Sequence, residues 1–246
     1  TINGEVILNG RVEISADAMN ALTLQMLSGN DSASIATSSS FAGGLRIEGG
    51  DSDPASDRVT VTGTTGDDTI AVNLLAQSVT GIVGGTITLA GVEELTVNGN
   101  GQTTNGDDID VSNLGVSSGV TRVQVNGNSS TNDDLDVIGS AADDTIFWTA
   151  IDNATGTFHT ATGDTVLTYG SFTGVVTAQG GSSGFDVLHV LGNENANSVT
   201  SGASTVSVDQ DAGGALAAGT IALGAGLDRL DISTGGGADG INLTNL

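Results

Sequence analysis

VQVNGNSSTNDDLDVIGSAADDTIF, residues 123–147, sets the grammar of this chain. A short alternating strand ends in Asn-Gly, a polar turn closes on Asp-Asp, a second alternating strand follows, and another turn again closes on Asp-Asp. Alternation over four or five residues between Gly, Asn and Asp clusters marks half-buried strands. The phrase recurs. Arg58–Ile70 laid on Asp134–Ile146 pairs Gly63 with Gly139, Asp67 with Asp143 and Ile70 with Ile146, always 76 residues apart. Val123–Ile146 laid on Val176–Val199 pairs Gly127 with Gly180, Asp133 with Asp186, Leu135 with Leu188 and Gly139 with Gly192, always 53 apart. Leu95–Val111 matches Val123–Val137 with two extra turn residues. Repetition of this kind belongs to architectures built by stacking one unit on the next.

Outward from that stretch, the same grammar holds from Leu45 onward: LRIEG, LTVNG, VQVNG and VTAQG each precede a turn, and DRVTV, DIDV, DLDV and DVLHV follow one. Upstream, residues 5–14 predict two short strands around an Asn-Gly turn. Residues 15–29 favour a strand, since Leu22, Leu24 and Met26 alternate, with a short helix capped by Ser15 as the alternative. Segments 73–86 and 149–172 depart most from the grammar and are expected to bulge as loops. These patterns predict an all-β chain: a parallel β-solenoid, residues 1–44 supplying N-terminal strands or a cap and residues 45–246 the repeats, with an irregular insertion at 149–172, all one continuous domain. Gly and Asn turn the corners, where left-handed backbone occurs, and Val, Ile and Leu fill the inside. A stack of about ten coils at about 4.8 Å per strand gives a rod roughly 50 Å long.

Composition narrows the function classes. The 246 residues include 38 Gly, one Pro, no Cys, no Lys, five Arg and 29 acidic residues, giving a formal charge of −24. That charge repels phosphate backbones and anionic headgroups, so neither nucleic acid nor membrane insertion is expected. No run approaches 18 apolar residues. The chain begins Thr1-Ile2, the expectation for a processed form or an excised segment. With hydrophobic residues at 37% but aromatics at 3%, the core must be narrow and aliphatic.

The double aspartates are the candidate site residues: Asp67 and Asp68, Asp107 and Asp108, Asp133 and Asp134, Asp143 and Asp144, with the single equivalents Asp186 and Asp239. Stacked at equivalent corners they would form carboxylate ladders. Two readings of them stand side by side. A hard cation such as calcium bridges crowded carboxylates, and an Asp at a turn caps backbone N–H groups without any metal.

Phrases such as GNGQTTNGDDIDV (99–111), GGSSGFDVLHV (180–190) and GGGADGINL (235–243) resemble degenerate forms of the calcium-binding nonapeptide of RTX proteins. Taken over residues 45–246, the chain is similar to bacterial extracellular β-solenoid repeat proteins of the adhesin and surface-layer type, which carry GTxGDDTI phrases. The uninterrupted nonapeptide tandems of the calcium β-roll are missing. The resemblance implies an extracellular or cell-surface structural module: a stalk, filament or surface-layer unit that self-associates head to tail or laterally, with calcium as its cofactor. A second reading is an adhesin or carbohydrate-binding rod with a cell-surface or glycan partner, using the aromatic residues Phe147, Trp148, Phe158, Tyr169 and Phe172. Polysaccharide cleavage, known on β-helices, is the third. Against it, the carboxylate pairs recur along the chain instead of converging on one site, and the five Arg are scattered. The chain is therefore expected not to be an enzyme. His159, in the irregular segment, and His189, outward on a strand, lack any zinc-ligand spacing. The sequons at Asn30, Asn128, Asn153 and Asn242 match by chance in so Asn- and Thr-rich a chain.

Overall fold

Val, Ile and Thr at alternate positions favour extended backbone, and inward Val and Ile give each strand one apolar face. The computed structural model realises this pattern over nearly every described segment. It describes residues 5–7, 13–15, 20–36, 41–50, 56–100, 106–128, 132–152, 154–161, 165–195, 197–211 and 218–243. All regular structure among them is β. Strands β1 (Glu5–Ile7) and β2 (Glu13–Ser15) pair antiparallel, as the first ten-residue phrase predicts, and the turn between them lies outside the described residues.

The chain then alternates between a twelve-stranded and a nine-stranded sheet. It runs from β3 (Leu22–Gln25, twelve) to β4 (Ser32–Ala36, nine), β5 (Leu45–Glu48, twelve) and β6 (Arg58–Thr62, nine). Strands β7 (Thr69–Asn73), β8 (Ser78–Thr80) and β9 (Ile87–Ala90) all lie in the twelve-stranded sheet. Alternation resumes with β10 (Glu94–Asn98, nine), β11 (Asp108–Leu114, twelve), β12 (Arg122–Asn126, nine) and β13 (Asp134–Gly139, twelve). Three strands of the nine-stranded sheet follow: β14 (Thr145–Ala150), β15 (Gly156–Thr160) and β16 (Val166–Gly170). After β17 (Val176–Gln179, twelve) and β18 (Asp186–Leu191, nine) come β19 (Ser198–Ser201), β20 (Thr205–Asp209) and β21 (Gly219–Leu223) in the twelve-stranded sheet. The last two are β22 (Leu227–Ser233, nine) and β23 (Gly240–Leu243, twelve). The residue-22–25 strand agrees with the favoured reading of 15–29.

Pairing is parallel wherever the chain crosses between sheets, and antiparallel inside the three meanders β7–β8–β9, β14–β15–β16 and β19–β20–β21. Each meander obeys one rule. Its first strand enters three places ahead of the last strand laid down in that sheet, and the next two fill the gap backward. The segments expected to bulge as loops are thus strands: 73–86 contains β8 and 149–172 contains β15 and β16. Their alternation was masked because they lack the Gly-to-Asp phrase; inside a meander a hairpin replaces the crossover arc. The two sheets are open and are not joined into one closed barrel.

The inward residues of both sheets meet in a single apolar layer. Val59, Val61, Leu95, Val97, Val123 and Val125 come from the nine-stranded sheet, and Ile70, Val72, Ile109, Val111, Leu135 and Val137 face them, all at most 2% exposed. In-register pairing stacks like on like: Val61, Val97 and Val125 form one column, and Ile70, Ile109 and Leu135 another. Burial of each such side chain contributes about 1.5–3 kcal/mol. Trp148, Phe158, Tyr169 and Phe172 thicken this layer beside the β14–β16 meander. Outward faces are mostly Thr, Ser, Asn and Asp, which is what one buried face per strand requires.

Candidate functional site

Six of the crossings between sheets follow one local plan. A strand ends in Gly, an arc of variable length follows, and an Asp folds its side chain back beneath that Gly just before the next strand begins. A Cβ on Gly139 would sit 2.8 Å from Asp144 Oδ2 and 2.2 Å from the Gly180 carbonyl oxygen of the neighbouring crossover. The carboxylate and the neighbouring crossover's backbone share the space a side chain would need. The same carboxylate contact recurs at Gly49 with Asp57, Gly63 with Asp68, Gly99 with Asp107, Gly127 with Asp133 and Gly180 with Asp186. This is why Gly and Asp travel together in the sequence while the residues between them vary in number.

The inner carboxylates then link one crossover to the next. The Asp68 N–H donates to Asp107 Oδ1 and the Asp107 N–H to Asp133 Oδ1, each at 2.9 Å. On the opposite edge of the sheets, the Asp144 N–H donates to Asp186 Oδ1 at 2.8 Å and the Asp186 N–H to Asp228 Oδ2 at 2.9 Å. Nearer the N-terminus, Asp31 donates to Asp57 Oδ1 and Asp57 to Glu93 Oε2, both at 2.8 Å. Near the C-terminus the Asn197 N–H donates to Asp239 Oδ1 at 2.9 Å. The second oxygen caps the arc: Asp144 Oδ2 accepts the Ser140 N–H at 2.5 Å and its hydroxyl at 2.9 Å, and Asp68 Oδ2 accepts the Thr64 N–H at 2.5 Å.

The two members of each Asp pair therefore have different roles. Asp107, Asp133 and Asp144 are at most 2% exposed, and Asp68 is half-buried, all four in the files. Their sequence neighbours Asp67, Asp108 and Asp143 are exposed and Asp134 is half-buried. Asp134 and Asp143 cap a neighbouring arc, accepting the Val175 N–H at 2.5 Å and the Phe185 N–H at 2.8 Å. Asp186 is buried in its file and Asp239 is exposed at the end of its own. Sequence reasoning missed Asp57, Glu93, Asn197 and Asp228 as file members. The signal available for Asp57 and Asn197 was a Gly several residues before an Asp or Asn that opens an alternating strand.

Burial shifts two of these carboxyls upward. Asp107 is pushed up to about 6, first by desolvation, opposed by the Asp68 N–H and reinforced by the charges of Asp133, Asp68 and Asp67. Desolvation also raises Asp186, with the Asp144 N–H opposing and the charges of Asp144, Asp228 and Asp143 adding. Exposed Asp239 goes the other way, held low chiefly by the Asn197 N–H.

Calcium needs six to eight oxygens around one point. The pairs do not provide this: one carboxylate turns inward to backbone N–H groups while its neighbour turns outward. No group of three or more His, Asp or Glu among the described residues is arranged to hold a metal ion. The inner carboxylates are engaged as backbone caps.

The outward face of the nine-stranded sheet carries a second constellation. Arg58, Glu94 and Arg122 are register neighbours on β6, β10 and β12. Arg58 donates through Nε at 2.8 Å and Nη2 at 2.5 Å to Glu94 Oε2, and Arg122 donates to Glu94 Oε1. Farther along the same row, Phe147 lies between His159 at 4.8 Å and His189 at 5.2 Å, the rings within 11° of parallel. His159 thus sits on a strand, not in a loop, and partial burial lowers its pKa. Trp148 is 0% exposed and donates from Nε1 to Tyr169 Oη at 3.0 Å, so this ring is core and not a ligand platform. Of the sequons, Asn30 is exposed at a bend and Asn128 at a turn, Asn242 is exposed on β23, and Asn153 lies outside the described residues. Compared with protein-family models, curated proteins and solved structures, the chain matches none.

Proposed function

We infer that this chain is a parallel β-solenoid with antiparallel meanders set into it, and that its task is mechanical: an extracellular structural module of a stalk, filament or surface layer. The observation that carries the reading is the file of carboxylate-to-N–H bonds running from coil to coil along both edges of the sheets. Such files add a side-chain clamp at every corner to the backbone ladders and aliphatic columns. Separation of coils then requires breaking two kinds of hydrogen bond and exposing apolar surface together. Twelve strands at about 4.8 Å extend the molecule roughly 50 Å along the stack, against about 15–20 Å along a strand. A dense acidic surface keeps such a rod soluble. The Asp corners act as caps in this reading, with no metal.

The test is immunogold electron microscopy of intact, unpermeabilised producing cells with antibody raised to the folded chain. Label on the outer surface, in linear or lattice arrays, is the expected result. Label that enters only after permeabilisation would overturn the extracellular structural role.

A further inference from the structure

The outward faces of the two sheets carry complementary charge at adjoining coils. On the twelve-stranded sheet, Asp108 and Asp110 of β11 stand in register beside Asp134 and Asp136 of β13. Neighbouring strands are about 4.8 Å apart and alternate residues of one strand about 7 Å, so four carboxylates share one small patch. Burial and the neighbouring carboxylates raise the Asp108 and Asp110 carboxyls. None of the ion pairs among the described residues reaches this quartet. Asp134 is satisfied by the Val175 N–H, and Asp136 accepts from the Gln179 amide at 2.9 Å. Asp108 and Asp110 are left facing outward with unspent charge.

On the nine-stranded sheet, Arg58 and Arg122 flank Glu94, whose side chain is 11% exposed while theirs are 58% and 62% exposed. A guanidinium has five N–H donors. Arg58 spends two on Glu94 and Arg122 spends the two of its Nη2 on Glu94 and Ser56, so three donors of each remain for a partner. The surrounding outward residues, Thr60, Thr96, Gln124 and Thr168, are mostly short, so the long arginines stand above a low, flat face. The two constellations lie at adjoining coils: β10 leads directly into β11, and β12 into β13.

We propose that the acidic quartet on the twelve-stranded face of one copy of this chain docks on Arg58 and Arg122 of the nine-stranded face of a second copy. The inference rests on the structural-module reading and names its lateral contact. Because the two patches are on opposite faces, the contact is heterologous and does not close; copies add side by side into a row. A sideways step smaller than one strand length, about 17 Å, sets the patches opposite each other. A sheet face of about 50 Å by 15 Å offers about 750 Å² per partner, the scale of a stable specific interface. Bidentate guanidinium–carboxylate pairing supplies register, and the flat Thr-rich faces permit close approach.

Two terminator variants test it. Asp108→Asn with Asp110→Asn removes the acidic side and relieves repulsion, so the fold is retained. Arg58→Gln, Glu94→Gln and Arg122→Gln together remove the basic side without leaving a buried unpaired charge. Sedimentation velocity at about 0.05 M salt should show native chain growing beyond dimer with concentration, and dissociating by about 0.5 M salt. Each variant alone should associate at least about tenfold more weakly, and a one-to-one mixture should form a dimer and stop. A native chain that stays monomeric at low salt, association indifferent to salt, or variants that behave like the native chain or form no mixed dimer would each overturn the docking. Small-angle scattering of the monomer in high salt keeps the readings apart. An elongated monomer with no docking removes only this contact, whereas a compact monomer removes the rod itself.

Discussion

Asp186 is the position at which the capping account makes its sharpest forecast. It is 1% exposed, its Oδ1 accepts the Asp144 N–H at 2.8 Å, and Asp144 is itself 2% exposed. Asp186→Ala leaves that N–H buried with no acceptor, which costs about 1–3 kcal/mol. Removing a carboxylate that burial disfavours returns part of this, so the expected net loss is about 2 kcal/mol at pH 7. For a chain of this length that is about 4–8 °C in Tm. Asp186→Asn keeps the Oδ1 acceptor and discards the charge, so it should lie within about 1 kcal/mol of the native chain or above it. Elsewhere an Asn side chain already caps an arc in this chain: Asn197 Oδ1 accepts the Asn193 N–H at 3.3 Å. Thermal unfolding by circular dichroism gives the global number, and hydrogen exchange of the Asp144 amide gives the local one. That amide should stay protected in native and Asn chains and exchange faster in the Ala chain. Ala and Asn variants of equal stability, or an Asp144 amide protected in both, would refute the clamp.

Acidification from pH 7 to about 4.5 should raise Tm. Asp107 holds its proton up to about 6 when folded and up to about 3.9 when unfolded, so the folded state binds more protons in that window and stability falls as pH rises through it. Asp107→Asn should flatten the profile, and a native Tm that falls steadily over this range would contradict the burial argument. Gly139→Ala should cost about 1–3 kcal/mol by overpacking against the Gly180 carbonyl and Asp144, whereas Gly240→Ala, with nothing within 4 Å of the added Cβ, should change urea stability little. Melting curves in excess EDTA and in millimolar calcium should superimpose, and a loss of β signal in chelator would return the aspartates to the cation reading.

Much of the architecture was legible in the strand phrase itself. LTVNG, DIDV and DLDV are short, alternating and bounded by Gly and Asp, and each became a strand with its Val and Leu buried. The candidate aspartates were legible as corners for the same reason, and the turn-cap reading of them needed only the knowledge that a carboxylate accepts backbone N–H groups. Which Asp of each pair turns inward was not legible. Asp107 and Asp108 are chemically the same, and only the neighbouring crossover, which puts the Asp68 N–H against one and solvent against the other, separates them.

The sequence by itself determined the strands that carry the repeated phrase, the Gly-to-Asp corners between them and the aliphatic composition of the core, because these depend on alternation and on local sterics. It left open the sheet to which each strand belongs. Phrases that align at 53 and 76 residues fall in opposite sheets: Gly127 follows β12 of the nine-stranded sheet, and its match Gly180 follows β17 of the twelve-stranded one. Both edges of the stack pose the same steric problem, so the same residues solve it and carry no label for either edge. The meanders were decided by tertiary structure as well. Hairpinning back through β8, β15 and β20 fills strand places that the overshooting crossover leaves unpaired, and the demand to satisfy those backbone groups comes from the assembled sheet and not from the segment.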